Sequence, residues 1–127
     1  MELEHISPAD FGAIEEGGIF GGIFAAATVL GHTHIVRPAN PLTDFELNYQ
    51  IEDAYEIALE IADMDEALAD AIMSAECVHE SVDGWEVQRM RGELARKLGY
   101  DAVEMADEYG TSWLCLPGCP IEKRVDA

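Results

Sequence analysis

The sequence has little positive charge. Lys and Arg together number 7 against 26 Asp and Glu, which gives a net charge of −19. No Lys or Arg precedes Arg37, and none occurs between residues 38 and 88. Proteins that grip nucleic-acid phosphates or anionic lipid surfaces need clustered Lys and Arg. The composition therefore excludes direct nucleic-acid binding and adsorption to an anionic membrane.

Long apolar runs and paired cysteines are also lacking. No stretch reaches the roughly 20 apolar residues that a membrane span needs, and the first residues carry no basic segment typical of a signal peptide. Three cysteines (Cys77, Cys115 and Cys119) are an odd number, which argues against a disulfide framework. The four His and three Cys show no zinc-ligand spacing, so no metal site is expected. We predict a protein of the reducing cytosol, with Cys115 buried.

The chain nevertheless has the composition of a folded protein, because 49% of its residues are hydrophobic. Its length fits one domain, residues 1–127. Hydrophobic patterning, caps and breakers predict an α+β fold with strands at both ends and a helical middle. We expect strands at 2–6, 34–36, 100–106, 112–116 and 121–125. We expect helices at 49–62, 65–77 and 83–98, with short ones from Ser7-Pro8 to Gly17-Gly18 and in the Ala-rich segment before Gly31.

A glycine pair between two aromatic residues, Phe20-Gly21-Gly22-Ile23-Phe24, is the first candidate binding element. Paired glycines let a backbone approach a ligand closely, and the flanking rings could stack on a planar group. A plain glycine turn between packed aromatics explains the same pattern. His5, at the end of the first strand, is likewise either a ligand-binding residue or an ordinary strand-end histidine.

A carboxylate at the end of a late strand is the second candidate. Alternation along residues 101–108 places Asp107 on the face that carries Val103 and Met105, where it would be partly desolvated. Such a carboxylate can stabilise positive charge that develops during a reaction. An Asp that merely begins a turn is the simpler explanation.

Taken together, these motifs resemble a known family. The sequence HIS at 5–7, then FGGIF at 20–24, GYDAV at 99–103 and GTSW at 110–113 are similar to motifs of ADP-ribosyltransferase domains. One branch is closer: phage anti-CRISPR proteins that are ADP-ribosyltransferases. Its resemblance rests on PLTDF at 41–45, LNY at 47–49, DGWE at 83–86, RG at 91–92 and WLCLPGC at 113–119.

The resemblance implies a small ADP-ribosyltransferase-like fold and a defined activity. The enzyme would cleave NAD at the nicotinamide–ribose bond and transfer ADP-ribose to the type I-F CRISPR surveillance complex. The target would be an asparagine on the large subunit that reads the PAM, approached through its basic surface in the cytosol of an infected bacterium. The added phosphates and bulk would block binding of target DNA.

The same resemblance assigns roles to individual residues. His5 would bind the adenine-side ribose of NAD, and the backbone around Ile6 and Ser7 would hold the nicotinamide carboxamide. A wall for the nicotinamide would come from Phe20, Gly21, Gly22 and Phe24. Asp107 would be the catalytic carboxylate. Two positions depart from the family pattern: Ile6 stands where many relatives have Gly, and Asp107 replaces the commoner Glu, which leaves Glu108 and Glu104 as alternatives.

A non-catalytic function competes with this interpretation. Rows of carboxylates, Glu52, Glu56 and Glu60 and then Asp63, Asp65, Glu66 and Asp70, could imitate a nucleic acid and occupy a basic channel in a partner. They could equally form a solubilising surface, or steer the enzyme to a basic target.

Overall fold

The computed structural model describes residues 1–7, 14, 22–75, 84–107 and 110–123, with the backbone alone at 106, 107 and 110. These residues form seven strands and four helices. The strands are β1 (Leu3–His5), β2 (Ile23–Ala25), β3 (His34–Val36), β4 (Pro41–Leu42), β5 (Ala102–Asp107), β6 (Gly110–Cys115) and β7 (Ile121–Lys123). The helices are α1 (Asp44–Tyr49), α2 (Ala54–Ile61), α3 (Glu66–Ser74) and α4 (Gly84–Lys97). None of the helices in these ranges is long and apolar enough to cross a membrane.

The strands divide into two sheets, and the helices cover one of them. The smaller sheet has the order β1-β3-β7, and the larger has the order β2-β6-β5-β4. Strand β4 runs parallel to β5, while the other pairs are antiparallel. Because β1 and β7 both flank β3, the two ends of the chain meet in one sheet. The α+β fold with strands at both ends and helices between them is confirmed.

Two hydrophobic cores lie on opposite faces of the larger sheet. Alternation along β5 and β6 sends Val103, Met105 and Leu114 into a core shared with the helices. Neighbouring positions, including Ala102 and Trp113, face a second core shared with the smaller sheet. The molecule therefore has three layers in the described ranges: helices, the larger sheet and the smaller sheet.

A buried arginine joins the helical layer to the larger sheet. Arg91 of α4 is 1% exposed, and its guanidinium donates to the carbonyl oxygens of Ile72 (2.9 Å) and Met73 (2.7 Å) at the end of α3. It also donates to the Glu104 carbonyl of β5, from Nε at 3.1 Å and from Nη2 at 3.0 Å, and to the Asp44 carboxylate of α1 at 2.8 Å. All five N–H donors of Arg91 are used, so one side chain fixes α1, α3 and β5 relative to α4.

Side chains also fix the short strand β4 against β5. The carboxylate of Asp101 accepts the N–H groups of Ala39 at 2.7 Å and Asn40 at 2.9 Å. The Asn40 side chain donates to the carbonyl of Gly99 at 3.0 Å. Gly99 lies in the turn after α4 and has a φ of 91°. These bonds set the position at which the chain enters β4.

Several local predictions need correction. The Ala-rich segment before Gly31 is not helical, because residues 23–25 form β2 and pair with β6. The helix predicted at 49–62 is two helices, since α1 ends at Tyr49 and α2 begins at Ala54. The predicted helix from Ser7-Pro8 to Gly17-Gly18 lies mostly outside the described residues. The strand at 34–36 is confirmed with its predicted bounds, and the strands at 100–106 and 112–116 are confirmed with shifted ends.

Replacing Arg91 should destabilise the whole molecule. In Arg91→Met the buried carbonyls of Ile72, Met73 and Glu104 lose their donors, so the free energy of unfolding should fall by about 3 kcal/mol. Urea denaturation followed by circular dichroism measures this loss.

The matched control is Arg89→Met on the same helix. Arg89 only approaches Glu86 at 3.6 Å, with the two side chains 37% and 35% exposed, so its loss should stay within about 1 kcal/mol. Equal losses in the two variants would show that Arg91 does not organise the fold.

Candidate functional site

A cavity of about 300 Å³ opens where the two sheets meet. Its walls come from the end of β1, from β2 and the loop after it, and from β6. They are mostly apolar, with a few polar groups, as is usual for small-molecule sites. The lining residues are His5, Ile6, Phe24, Ala25, Ala26, Val29 and Ser112.

Glu4 joins the two sheets beside this cavity. Its backbone exchanges two hydrogen bonds with Ala26, at 2.7 and 3.0 Å, which form a bridge between β1 and the chain just after β2. Its carboxylate accepts the N–H of Val29 at 2.9 Å and lies 3.3 Å from Nδ1 of His32. One residue therefore fixes both the junction of the sheets and the loop that closes one side of the cavity.

His5 is held in one orientation by the backbone of β2. Its Nδ1 lies 2.5 Å from the carbonyl oxygen of Phe24. A carbonyl only accepts, so Nδ1 carries the proton, and in the neutral imidazole Nε2 is then an acceptor. The predicted ligand-binding histidine thus lies in the cavity wall with a defined tautomer.

Thr33 supports the segment 5–7 from behind. Its backbone N–H donates to the His5 carbonyl at 2.9 Å. The Thr33 hydroxyl oxygen accepts the N–H of Ser7 at 2.9 Å and lies 2.8 Å from Nδ1 of the buried His34. Ile6, between these two fixed residues, lines the cavity and is 53% exposed.

The Gly-Phe segment enters the site only in part. Phe24 lines the cavity, and Gly22 precedes β2 in tight contact with β6. A Cβ at Gly22 would collide with the carbonyl oxygen of Cys115, so this glycine is required by strand packing. Phe20 and Gly21 lie outside the described residues, and their roles stay predictions.

Asp107 ends β5, where it is paired with Gly110 of β6. Ser112, which lines the cavity, is two residues along β6 and pairs with Met105. Strand spacing puts the Cα atoms of Asp107 and Ser112 about 8 Å apart. The structure therefore brings the backbone of Asp107 close to the cavity, while its catalytic role and the direction of its side chain stay predictions.

Of the two alternative carboxylates, Glu104 and Glu108, Glu104 is bonded within the fold. The Glu104 carboxylate accepts the N–H of Asp44 at 2.8 Å, at the beginning of α1. It therefore has a structural task in fixing α1. Glu108 lies outside the described residues.

A second cavity, of about 250 Å³, lies between the helices and the larger sheet. Its lining includes Asp44, Arg91, Glu104 and Thr111. Every N–H donor of Arg91 is already bonded within the protein, so this arginine is not available to bind the phosphates of a ligand.

The cysteines are structural where they are described. Cys115 is fully buried, as predicted, and Cys119 is 3% exposed. A hydrogen bond to the Cys119 thiol, together with burial, raises the pKa of the Cys115 thiol, so this group is a poor nucleophile. Among the described residues, no group of three or more His, Cys, Asp or Glu side chains could hold a metal ion.

Sequence reasoning missed three residues of this site. Glu4, Thr33 and Ser112 position or line the cavity, yet each is an ordinary polar residue in or beside a short strand. The alternating pattern predicted the strands in or beside which these residues lie. It could not show that pairing of strands distant in sequence brings the three residues together.

Two sheets that meet beside a cavity, with helices covering one sheet, define an α+β fold with a candidate ligand site in the described residues. The family described as "Anti-CRISPR Type I-F ADP-ribosyltransferase AcrIF11" matches residues 39–124. The chain belongs to this family of anti-CRISPR ADP-ribosyltransferases.

A solved structure supports the assignment over a longer range. It is described as "Crystal structure of an anti-CRISPR protein" and is 52% identical, with a TM-score of 0.92. The similarity covers 98% of this chain and 95% of that chain, so it includes the first strand and β2, which precede the family match. No curated protein matches this chain.

Removing the Thr33 hydroxyl should loosen the segment that carries His5. In Thr33→Val the Ser7 N–H loses its acceptor, so we expect its amide hydrogen exchange to speed up by roughly tenfold or more, matching a lost hydrogen bond of about 1–3 kcal/mol. Thr33→Ser retains the hydroxyl and should keep the slow exchange. Unchanged protection of Ser7 in Thr33→Val would contradict this arrangement.

Proposed function

We propose that this chain transfers ADP-ribose from NAD to the large, PAM-reading subunit of the type I-F surveillance complex. The observation that carries the proposal is the cavity at the junction of the sheets, with an oriented His5 in its wall and, by strand spacing, the Cα of Asp107 about 8 Å from that of Ser112, which lines it. Membership in an ADP-ribosyltransferase family supports NAD as the co-substrate, because these enzymes take ADP-ribose from it.

The cavity suits one half of a dinucleotide. Its volume of about 300 Å³ is at the lower end of the range for ligand pockets. Phe24, Ala25 and Val29 supply an apolar surface for a flat ring, and the imidazole of His5 in the cavity wall suits a ribose hydroxyl. The polar backbone around Ile6 and Ser7 would hold the carboxamide.

Positive charge develops on the ribose when the nicotinamide–ribose bond breaks, as it does in glycoside cleavage. In our proposal the Asp107 carboxylate stabilises this charge. The electron pair of the broken bond leaves with nicotinamide. An asparagine amide nitrogen of the target then forms the new bond to the ribose and releases one proton.

Blocking of DNA would follow from the chemistry of the product. ADP-ribose carries two phosphates, so its attachment near a PAM-reading surface would add negative charge where DNA phosphates must bind. The carboxylates of α2 and α3 would help earlier, by attracting the enzyme to that basic surface. The competing nucleic-acid mimic would use the same carboxylates without any chemistry.

A mass spectrum of the target distinguishes these two functions. Purified type I-F surveillance complex is incubated with catalytic amounts of the protein, with and without NAD. We expect one ADP-ribose added to the large subunit, only with NAD, and more modified target than enzyme. Stoichiometric inhibition with no mass change, independent of NAD, would establish the mimic.

Neutralising Asp107 should remove transfer without unfolding the protein. Asp107→Asn keeps the size of the side chain but removes its charge, so we expect the rate of target modification to fall at least 100-fold. Transfer is measured with a tagged NAD, and the fold is checked by thermal unfolding.

Two matched variants test the alternative carboxylates. Glu104→Gln keeps an oxygen that can accept the Asp44 N–H and removes only the charge, so its activity should stay within a few-fold of the parent. Glu108→Gln should behave in the same way. If one of these variants loses transfer while Asp107→Asn retains it, the catalytic role moves to that residue.

A further inference from the structure

The short helix α1 is held in place by hydrogen bonds from several other parts of the fold. It has six residues, too few to be stable alone. Thr43 and Glu46 form a capping box at its start. Arg91 and Glu104 bind its first residue, Asp44, from the core and from β5.

The other end of α1 is fixed as well. The amide of Asn48 donates to the carbonyl of Met73 at 2.9 Å, at the end of α3, and Leu47 is 1% exposed in the core. The backbone of α1 is therefore held rigidly at both ends and along its inner face.

The outer face of this rigid helix presents two aromatic side chains to solvent. Phe45 is 60% exposed and Tyr49 is 77% exposed. Their rings contact each other with centroids 5.3 Å apart. Exposed aromatics on a rigid element are typical of the residues that dominate protein–protein binding.

The charge around this pair defines the kind of partner it fits. No Lys or Arg occurs between residues 38 and 88, and the chain that follows α1 begins with the exposed carboxylates of Glu52 and Asp53. Aromatic faces next to carboxylates suit Arg side chains, which stack on the rings and pair with the acids. The complementary surface is therefore basic and rich in arginine.

The position of α1 relative to Asp107 gives the surface its role. In the larger sheet, β2 and β6 border the cavity, β5 carries Asp107, and α1 follows β4 at the opposite edge. Glu104, which binds the first residue of α1, is three residues before Asp107, or about 10 Å along β5. In sheet order, β5, which ends at Asp107, thus lies between the strands that border the cavity and the edge from which α1 begins.

We propose that the outer face of α1, with Phe45 and Tyr49 at its centre, is the docking surface for the acceptor protein, and that it binds an arginine-bearing basic surface. This inference rests on the proposed function and assigns the acceptor side of the same site. The cavity holds the ADP-ribose donor on one side of Asp107, and α1 holds the acceptor on the other side.

The experiment compares target modification with donor use. The double variant Phe45→Ala/Tyr49→Ala keeps good helix formers on an exposed face, so the fold should persist. With purified type I-F surveillance complex, kcat/KM for modification should fall at least tenfold, mainly through a higher KM. NAD binding and hydrolysis without the complex should stay within twofold.

Two further variants sharpen the result. Phe45→Lys/Tyr49→Lys places positive charge against a basic partner and should reduce modification further. Met64→Ala removes an exposed apolar side chain, 69% exposed, from the turn between α2 and α3 and should change nothing.

The outcomes separate this inference from the proposed function. Suppose first that the parent protein modifies the complex. The docking surface would then be overturned if the Ala double variant modified the complex as fast as the parent, or if it lost NAD hydrolysis as much as it lost modification. A parent protein that binds and hydrolyses NAD but does not modify the complex would overturn the proposed target, and the docking surface with it. A loss in Met64→Ala equal to that of the double variant would also overturn the assignment to α1.

Discussion

The buried guanidinium of Arg91 is the interaction on which the arrangement of the molecule depends. It joins α4 to the end of α3, to the beginning of α1 and to the backbone of β5 through five hydrogen bonds that satisfy all its donors. Four of these bonds go to the backbone carbonyls of Ile72, Met73 and Glu104, which would lose these donors without Arg91. Since β5 ends at Asp107, the same guanidinium also sets where the candidate catalytic carboxylate leaves the sheet.

The three layers of the molecule support different parts of the candidate site. The helical layer and its core fix β5 from one face, while the cavity lies where β1 of the smaller sheet meets β2 and β6 of the larger one. Glu4 connects the layers at the cavity as Arg91 connects them at the helices. Donor binding and the rigid support of the carboxylate can therefore rely on different parts of the chain, and meet at the end of β5.

The sequence predicted the helices and strands better than it predicted the contacts between them. The helices predicted at 65–77 and 83–98 correspond to α3 and α4. The Ala-rich segment failed because β2 is stabilised by its pairing with β6, which outweighs the helix propensity of alanine. In the site, His5 and Phe24 were found from local patterns, but their contact joins residues 19 apart and comes from tertiary structure. Thr33 carried no local signal for the same reason, and Ser112 stood in the GTSW motif without a site role of its own.

This geometry changes the function that we assign to the excess of negative charge. An acidic chain that meets a nucleic-acid-binding complex invites the idea of mimicry, in which the charge itself inhibits. Here the cavity is lined mainly by apolar residues and by His5, and the carboxylates of α2 and α3 are exposed. Long-range attraction falls off within about 10 Å at 0.1 M salt, so it can bring the two proteins together but cannot set an atom in place. Positioning at the reacting bond needs short contacts on rigid elements, which the oriented His5 and the anchored α1 provide. Long-range charge therefore governs the encounter, and short contacts at the site, with the single carboxylate of Asp107, govern the proposed chemistry.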